Sequence, residues 1–239
     1  MNCTNASPTL VLVQGAWHGP WCWRPADRQS SDIDIRTVVL PSSAQDPVTL
    51  GDHLYDDAQA VVEVLKAVEG PAVVVGHSCG ATPVTEAAAT MGNVKRIIYF
   101  TALMQDAGDF VLSLVGGTFP PYWKVHAQPD GAAGLGYFEA GQPLDVLYGD
   151  VKPSLARRCV AMLARLSPAS VPQSLTQAAW RTVPSTYIRC EEDAALPLAL
   201  QQAMAAQAQR TLRMRSARSP FLSQPAALAA DMLRDELSR

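Results

Sequence analysis

The stretch Ala72-Val-Val-Val-Gly-His-Ser-Cys-Gly-Ala81 joins an apolar, β-branched run to a segment with the composition of a helix. The apolar run predicts a buried strand over 72–75, and the spacing Gly76-x-Ser78-x-Gly80 places a serine in the following turn. Side chains two residues either side of that serine would clash in so tight a turn, and glycine removes them. The pattern is typical of a nucleophile elbow, which presents a serine hydroxyl at the carboxyl edge of a parallel sheet.

Two neighbours of the serine have predicted roles of their own. Cys79 follows it directly, so its backbone N–H is expected to point into an oxyanion hole at the start of the next helix. The Cys79 thiol is interpreted as a packing group rather than a second nucleophile. His77 precedes the serine and is predicted to point away from the site into the core.

Composition excludes several classes of function. The chain has 239 residues, 48% of them hydrophobic, and a net charge of only −3 without a basic cluster, so nucleic acid is not an expected partner. No apolar run approaches the roughly 20 residues that span a bilayer, and the polar residues 1–8 do not resemble a signal peptide. Odd in number and irregularly spaced, the cysteines argue against a disulfide framework or a zinc site. They are Cys3, Cys22, Cys79, Cys159 and Cys190. We therefore expect a soluble, cytoplasmic protein without a metal, a cofactor or a membrane partner; the oligomeric state stays open.

Apolar β-branched runs alternate with helical patterns on both sides of the elbow. The predicted strands are 9–13, 35–40, 72–75, 96–100, 186–190 and 211–215. The predicted helices are 54–68, 81–91, 197–208 and 224–237. This alternation predicts an α/β fold with a mostly parallel sheet of about six strands, flanked by helices.

The alternation stops between about residues 103 and 183. That stretch is rich in glycine, proline and aromatic residues, and only residues 154–166 have a clear helical pattern. We therefore predict a core of residues 1–102 and 184–239, with residues 103–183 inserted as a cap after the fourth strand. An aromatic cap favours an apolar or aromatic ligand beneath a lid.

The loop after the first strand should supply the second oxyanion donor. Residues 12–23, Leu-Val-Gln-Gly-Ala-Trp-His-Gly-Pro-Trp-Cys-Trp, resemble the oxyanion loop of the plant methylesterase and hydroxynitrile lyase branch of α/β-hydrolases and of its bacterial relatives. The resemblance covers essentially the whole chain, is weakest in the cap, and implies an α/β-hydrolase fold. It also implies that the Ala16 N–H is the second donor. Gln14 stands where this branch usually has histidine.

A serine nucleophile needs a base that is oriented by an acid, in the chain order serine, acid, histidine. The segment 186–193 resembles the acid-bearing loop of the branch, which implies that Asp193 is the catalytic acid. Relatives then carry Gly-His-Ser-Pro-Phe-Leu-Ser-Gln-Pro, where this chain has Ala217-Arg-Ser-Pro-Phe-Leu-Ser-Gln-Pro225. Arg218 therefore occupies the expected histidine position. A guanidinium with a pKa above about 12 cannot accept the serine proton, and is expected to pair with Asp193 near Ser78.

No histidine follows His126 in the chain, so a replacement base has to come from elsewhere. His18 in the oxyanion loop and His126 in the cap are the candidates, each with a packing or pocket-lining role as the alternative. The predicted pocket residues are Trp17, His18, Tyr122, Trp123 and His126.

Three functions stay open at this point. The first is hydrolysis of a small apolar or aromatic ester, thioester or lactone through Ser78, with an atypical triad. The second is a lyase, cyclase or decarboxylase that uses Arg218 to bind an anionic intermediate. The third is a binding protein that retains only the pocket. A single base change separates His and Arg codons, so a point mutation would also account for Arg218.

Overall fold

The computed structural model describes residues 7–30, 32–51, 53–127 and 135–238. Cys3, most of the polar segment 1–8 and residues 128–134 of the predicted cap lie outside the described residues. Within the described ranges, no helix combines the length and the apolar character needed to cross a membrane.

The strands of the described residues form two sheets. Numbered along the chain, they are β1 (Thr9–Val13), β2 (Ile35–Thr37), β3 (Ser43–Ala44), β4 (Ala72–His77), β5 (Val94–Phe100), β6 (Trp123–Ala127), β7 (Leu135–Ala140), β8 (Arg165–Leu166), β9 (Ser185–Cys190) and β10 (Arg210–Met214). Six of them pair in parallel in the order β10-β9-β5-β4-β1-β2. The predicted α/β architecture with a six-stranded parallel sheet is confirmed.

The helices are mostly short. They are α1 (Arg24–Asp27), α2 (Leu54–Lys66), α3 (Ala81–Ala88), α4 (Val111–Leu114), α5 (Pro143–Leu147), α6 (Pro153–Val160), α7 (Leu198–Ala205), α8 (Pro220–Ser223), α9 (Pro225–Ala227) and α10 (Arg234–Leu237). Single 3₁₀ turns cover Pro20–Trp23, Pro47–Thr49, Ser78–Gly80 and Ala179–Arg181, and a π-helical turn covers Leu228–Leu233. The predicted helix over 224–237 is thus divided among α9, the π turn and α10.

The order of the parallel strands determines where a ligand site can form. The chain runs from β1 outward to β2, and then returns to β4 on the other side of β1. At the carboxyl ends of the two central strands, Val13 of β1 lies opposite Gly76 of β4. Loops that leave such a switch point in opposite directions open a crevice, which is where open α/β sheets bind ligands.

In its described residues, the region predicted as a cap contains three short helices, α4, α5 and α6, where the sequence predicted one, and it contributes three strands to a second sheet. Its antiparallel strands have the order β3-β8-β7-β6. The helix predicted over 154–166 is wrong at its end, because α6 stops at Val160 and Arg165–Leu166 pairs as β8 with Ser43–Ala44. A two-residue strand is too short for a periodic signal, so only its distant partner reveals it. Since β3 lies before the elbow in the chain, the division at residues 103 and 183 stays a prediction.

Candidate active site

Ser78 lies directly after β4 in the left-handed backbone region, with φ +56°, and is almost fully buried. Both flanking glycines are required by close backbone approaches. A Cβ on Gly76 would lie 2.6 Å from the Ala81 Cα, and one on Gly80 would overlap the Gln14 carbonyl oxygen. A non-glycine residue at positive φ stores strain that the surrounding packing has to support. The nucleophile-elbow geometry predicted from the sequence is therefore present.

The loop after β1 packs directly on this serine. A Cβ on Gly15 would lie 2.5 Å from the Ser78 Cβ, so only glycine allows the two segments to approach this closely. Trp17 also has a positive φ, +65°, and is held by hydrogen bonds from its Nε1 to the Phe138 carbonyl (3.2 Å) and from the Ala164 N–H to its own carbonyl (2.7 Å). Within the described chain, the Ala16 N–H has no hydrogen-bond acceptor.

The imidazole of His77 connects the oxyanion loop to the loop that carries Arg218. Its Nδ1 accepts a hydrogen bond from the Gly15 N–H at 3.3 Å, and its Nε2 lies 3.2 Å from the Arg218 carbonyl. Because a backbone N–H can only donate, Nδ1 is the unprotonated nitrogen and Nε2 donates to the carbonyl. Complete burial, reinforced by the nearby Arg218 charge, holds the pKa of His77 well below its ordinary value. The predicted core position is observed, and its bridging role had no signal in the sequence.

Arg218 lies between Ser78 and Asp193. Its Nη1 donates to Asp193 Oδ2 at 2.7 Å, and its Nη2 donates to Ser78 Oγ. Burial is the largest single effect and opposes the charge of Arg218, but the combined attractions of its neighbours, chiefly Asp193, outweigh it and raise the pKa of the guanidinium. Ser78 Oγ therefore accepts a hydrogen bond from a permanent donor, and this neighbour cannot remove the serine proton.

Asp193 is held by four donors. Besides Arg218, it accepts hydrogen bonds from Thr101 Oγ1 (2.5 Å), the Ala195 N–H (2.7 Å) and the Leu196 N–H (3.0 Å). Asp193 has no exposed side-chain surface, so these contacts replace the water that a carboxylate would otherwise bind. The acid is thereby fixed in position next to the guanidinium.

Neither candidate replacement base contacts Ser78. His18 is buried, with Nδ1 3.1 Å from the Ala16 carbonyl and Nε2 3.1 Å from the Tyr148 hydroxyl. Burial lowers the pKa of His18 to about 4, so its ring is neutral at pH 7. His126 lies on β6, stacked on Tyr137 at 4.5 Å, with its Nε2 3.1 Å from Glu139. It is not among the residues that line the cavity next to Ser78.

Ser78 opens onto a cavity next to the nucleophile elbow. The lining is mainly apolar and comprises Ser78, Cys79, Leu103, Val111, Leu112, Val115, Pro120, Tyr122, Trp123, Ala195, Leu196 and Arg218. The structure thus brings Tyr122, Trp123 and Cys79 together with the serine, as the sequence predicted, whereas Trp17 is buried behind them with its ring 5.3 Å from that of Trp123. The described residues contain no group of three or more His, Cys, Asp or Glu side chains arranged to hold a metal ion.

Asp150 is a site-supporting residue that sequence reasoning missed. Its Oδ2 accepts hydrogen bonds from the Ala217 N–H at 3.1 Å and from the Ser223 hydroxyl at 2.9 Å. Asp150 therefore holds the segment on either side of Arg218 from the predicted cap. An isolated acid in a loop carries no local pattern, so only the fold reveals this contact.

The chain is similar to known proteins in family, sequence and fold. Residues 10–231 match the model of a family described as the alpha/beta hydrolase family. The chain is 28% identical to the alpha/beta hydrolase nvfD of Aspergillus novofumigatus over 91% of this chain and 92% of that protein. It is 26% identical to methylesterase 7 of Arabidopsis thaliana over 96% of each chain. The structure of the Arabidopsis methylesterase MES16 superposes with a TM-score of 0.82 and 18% identity, covering 97% of this chain and all of that one (100%).

Proposed function

This chain belongs to the alpha/beta hydrolase family, and we propose that it binds a small, largely apolar ester, thioester or lactone with Ser78 as the nucleophile and without the usual triad histidine. The observation that carries the proposal is the position of Arg218, whose guanidinium donates to both Ser78 and Asp193. The substrate class follows from the apolar lining of the cavity onto which Ser78 opens.

The backbone around the serine is suited to an oxyanion. Ala16 has a free N–H in the loop that packs on Ser78, and Cys79 is in the first turn of a 3₁₀ helix, where N–H groups lack intrahelical acceptors. We assign these two N–H groups to the carbonyl oxygen of the substrate. Negative charge that develops on this oxygen is then stabilised by donors that need no rearrangement.

In the proposed site, no base of the described residues is placed to accept the proton of Ser78 Oγ. Arg218 takes the expected histidine position in this proposal, and it donates to Ser78 Oγ where a base would accept. Loss of a triad base lowers turnover by roughly 10⁴ to 10⁶-fold, while oxyanion stabilisation and binding leave roughly 10³ to 10⁴-fold over water. We therefore expect the native protein to be a slow esterase.

The direct test is restoration of the histidine. Turnover of 4-nitrophenyl acetate is measured for the native protein, Arg218→His, Arg218→Lys and Ser78→Ala. We expect Arg218→His to increase turnover by about 10³-fold or more. Arg218→Lys retains the charge without a base at pH 7 and should show no such gain, and Ser78→Ala in the Arg218→His background should remove it.

If Arg218→His folds but its turnover stays as slow as that of the native protein, the hypothesis that the site lacks only its base is wrong. Fast native turnover that disappears in His18→Phe or His126→Phe would instead show that the base has moved to another residue. Circular dichroism of each variant separates loss of activity from loss of folding.

A second candidate is a non-hydrolytic reaction at the same site, favoured by the buried, permanently charged Arg218 at the cavity wall. In a decarboxylase, the bond between the substrate carboxylate and its α-carbon breaks and CO₂ leaves. The electron pair stays as an enolate, which water then protonates. Here the guanidinium and the backbone N–H groups would hold the enolate oxygen. Release of CO₂ from 3-oxooctanoate that survives Ser78→Ala but is lost in Arg218→His would favour this reaction.

A further inference from the structure

A second cavity lies beside the one that contains Ser78. Cys79, Val111 and Trp123 line both cavities, and Gly15 and Ala16 of the oxyanion loop line the second. Both cavities therefore border Cys79, one of the two residues whose N–H groups the proposed function assigns to the substrate carbonyl. We call the second one the Asp57 compartment, after the only ionisable carboxyl group that lines it among the described residues.

The Asp57 compartment is largely apolar, with a polar patch formed by Asp57 and nearby serines. Its other lining residues are Leu40, Ser42, Ser43, Leu54, Gly80, Thr82, Pro83, Leu166, Ser170 and Val171. Ser42 donates to Asp57 through its backbone N–H (2.9 Å) and through its hydroxyl (2.5 Å). Each carboxylate oxygen accepts one of these bonds and keeps a further lone pair for a ligand.

Asp57 interrupts the apolar face of α2. The buried residues of this helix are Leu54, Asp57, Ala58, Val61 and Leu65, with helical spacing. A carboxylate with only 4% exposure is costly unless a cation or a full set of hydrogen bonds compensates it. No Lys, Arg or His of the described residues forms an ion pair with Asp57.

Asp57 differs in this respect from the other buried acid near the site. Asp193 is neutralised by Arg218, so the two together carry no net charge. Asp57 carries the uncompensated charge in the pair of cavities, and burial raises its pKa to about 6, which leaves it largely ionised at pH 7.5. A positive ligand group would remove the cost of burying this charge.

We propose that the Asp57 compartment is a recognition subsite for a protonated amine, and that the preferred ligand is an apolar carbonyl compound with an amine on the substituent opposite Arg218. Asp57 receives the ammonium group, and the apolar lining contacts the carbon chain. The orientation of the carbonyl between the cavities rests on the proposed function. Binding of the amine rests on the compartment alone.

The test uses two probes of equal shape, 4-phenylbutylamine, which is a cation at pH 7.5, and the neutral 4-phenylbutan-1-ol. Calorimetric titration gives the ratio of their dissociation constants for each variant. For the native protein we expect the amine to bind at least about tenfold more tightly, which corresponds to about 1.4 kcal/mol. Asp57→Asn has the same shape and can still bond to Ser42, yet has no charge, so it should reduce the preference to about twofold or less.

Ser42→Ala is the matched control, because it removes the hydroxyl contact and retains the carboxylate. It should keep most of the preference. If Asp57→Asn does not fold, Asp57→Leu completes the apolar face of α2 and takes its place in the comparison. Three results would overturn the proposal. The native protein could bind amine and alcohol equally, it could bind neither, or the Asp57 variants could keep the native preference.

The same titration with Ser78→Ala separates this inference from the proposed function. Ser78→Ala removes the nucleophile and leaves the compartment intact, so the amine preference should be unchanged. A retained preference together with failure of the Arg218→His experiment would overturn the proposed hydrolysis alone. Loss of the preference in Ser78→Ala would overturn an independent amine subsite.

Discussion

Arg218 and Asp193 form an ion pair at 2.7 Å in which the two side chains are 9% and 0% exposed. The pair is almost completely buried at the cavity wall, and Ser78 shares the guanidinium. When one partner of such a pair is removed, the other is left as an uncompensated buried charge. Stability and site geometry therefore depend on the same contact.

Asp193→Asn should destabilise the protein strongly. The variant keeps the side-chain shape but leaves the Arg218 charge without a counter-ion, which costs about 3–5 kcal/mol. Urea unfolding followed by circular dichroism measures the loss. Asp32→Asn is the control, because Asp32 pairs with Arg234 on the surface with 61% of its side chain exposed, and should cause a much smaller loss of stability. Equal losses in the two variants would show that Arg218 is hydrated or rearranges.

His77→Phe should loosen both loops that surround the serine. Phenylalanine fills a similar volume, but leaves the Gly15 N–H and the Arg218 carbonyl without partners at a cost of about 1–3 kcal/mol for each group. In the Arg218→His background, the variant should also lower kcat for 4-nitrophenyl acetate more than it raises KM, since the proposed function places catalytic groups on both loops. A purely packing role would leave kcat unchanged in the folded variant.

Asp57→Asn should stabilise the protein at pH 7.5 and not at pH 4. The pKa of Asp57 is about 6 in the folded protein against an ordinary value of 3.8. Between these values the folded state binds more protons than the unfolded state, so Asp57 lowers stability progressively as the pH rises from about 4 to about 6. The full cost is present at pH 7.5 and is about 2–3 kcal/mol at most. The difference in Tm between the native protein and Asp57→Asn should therefore increase over this range, and a constant difference would contradict a buried charge.

His18 should make the protein sensitive to acid. The pKa of His18 is about 4 in the folded protein against 6.5 ordinarily, because the buried ring has to stay neutral. The unfolded state therefore binds more protons between these values, and stability is lost as the pH falls from about 6.5 toward 4. His18→Phe should show a shallower decline of Tm in that range than the native protein. If the Tm of the native protein and that of His18→Phe decline in parallel, groups other than His18 cause the acid sensitivity.

Much of the core could be predicted from local pattern. The strand over Thr9–Val13 is observed at the predicted residues, and the elbow glycines predicted the tight turn at Ser78, where φ is positive. The apolar strand pattern and the glycine spacing of the elbow each lie within a few consecutive residues, so a short stretch of sequence is enough to recognise them. The strand predicted over 35–40 ends at Thr37, because β2 lies at the edge of the sheet and has a neighbour on one side only.

Local sequence patterns could not predict contacts between segments that are distant in the chain. The pairing of β8 with β3, the His77 bridge between two loops, and the Asp150 support of the Arg218 segment join residues far apart in the chain. The sequence by itself determined the α/β alternation and the serine turn, and it placed Arg218 in a segment where the resemblance predicts histidine. Only the tertiary structure decided that Arg218 donates to Ser78, that His18 and His126 lie away from the serine, and that Asp57 is a buried acid in a cavity. The physical reason is that strand and turn preferences act between neighbours along the chain, whereas the environment of a charge is set by whichever segments fold against it.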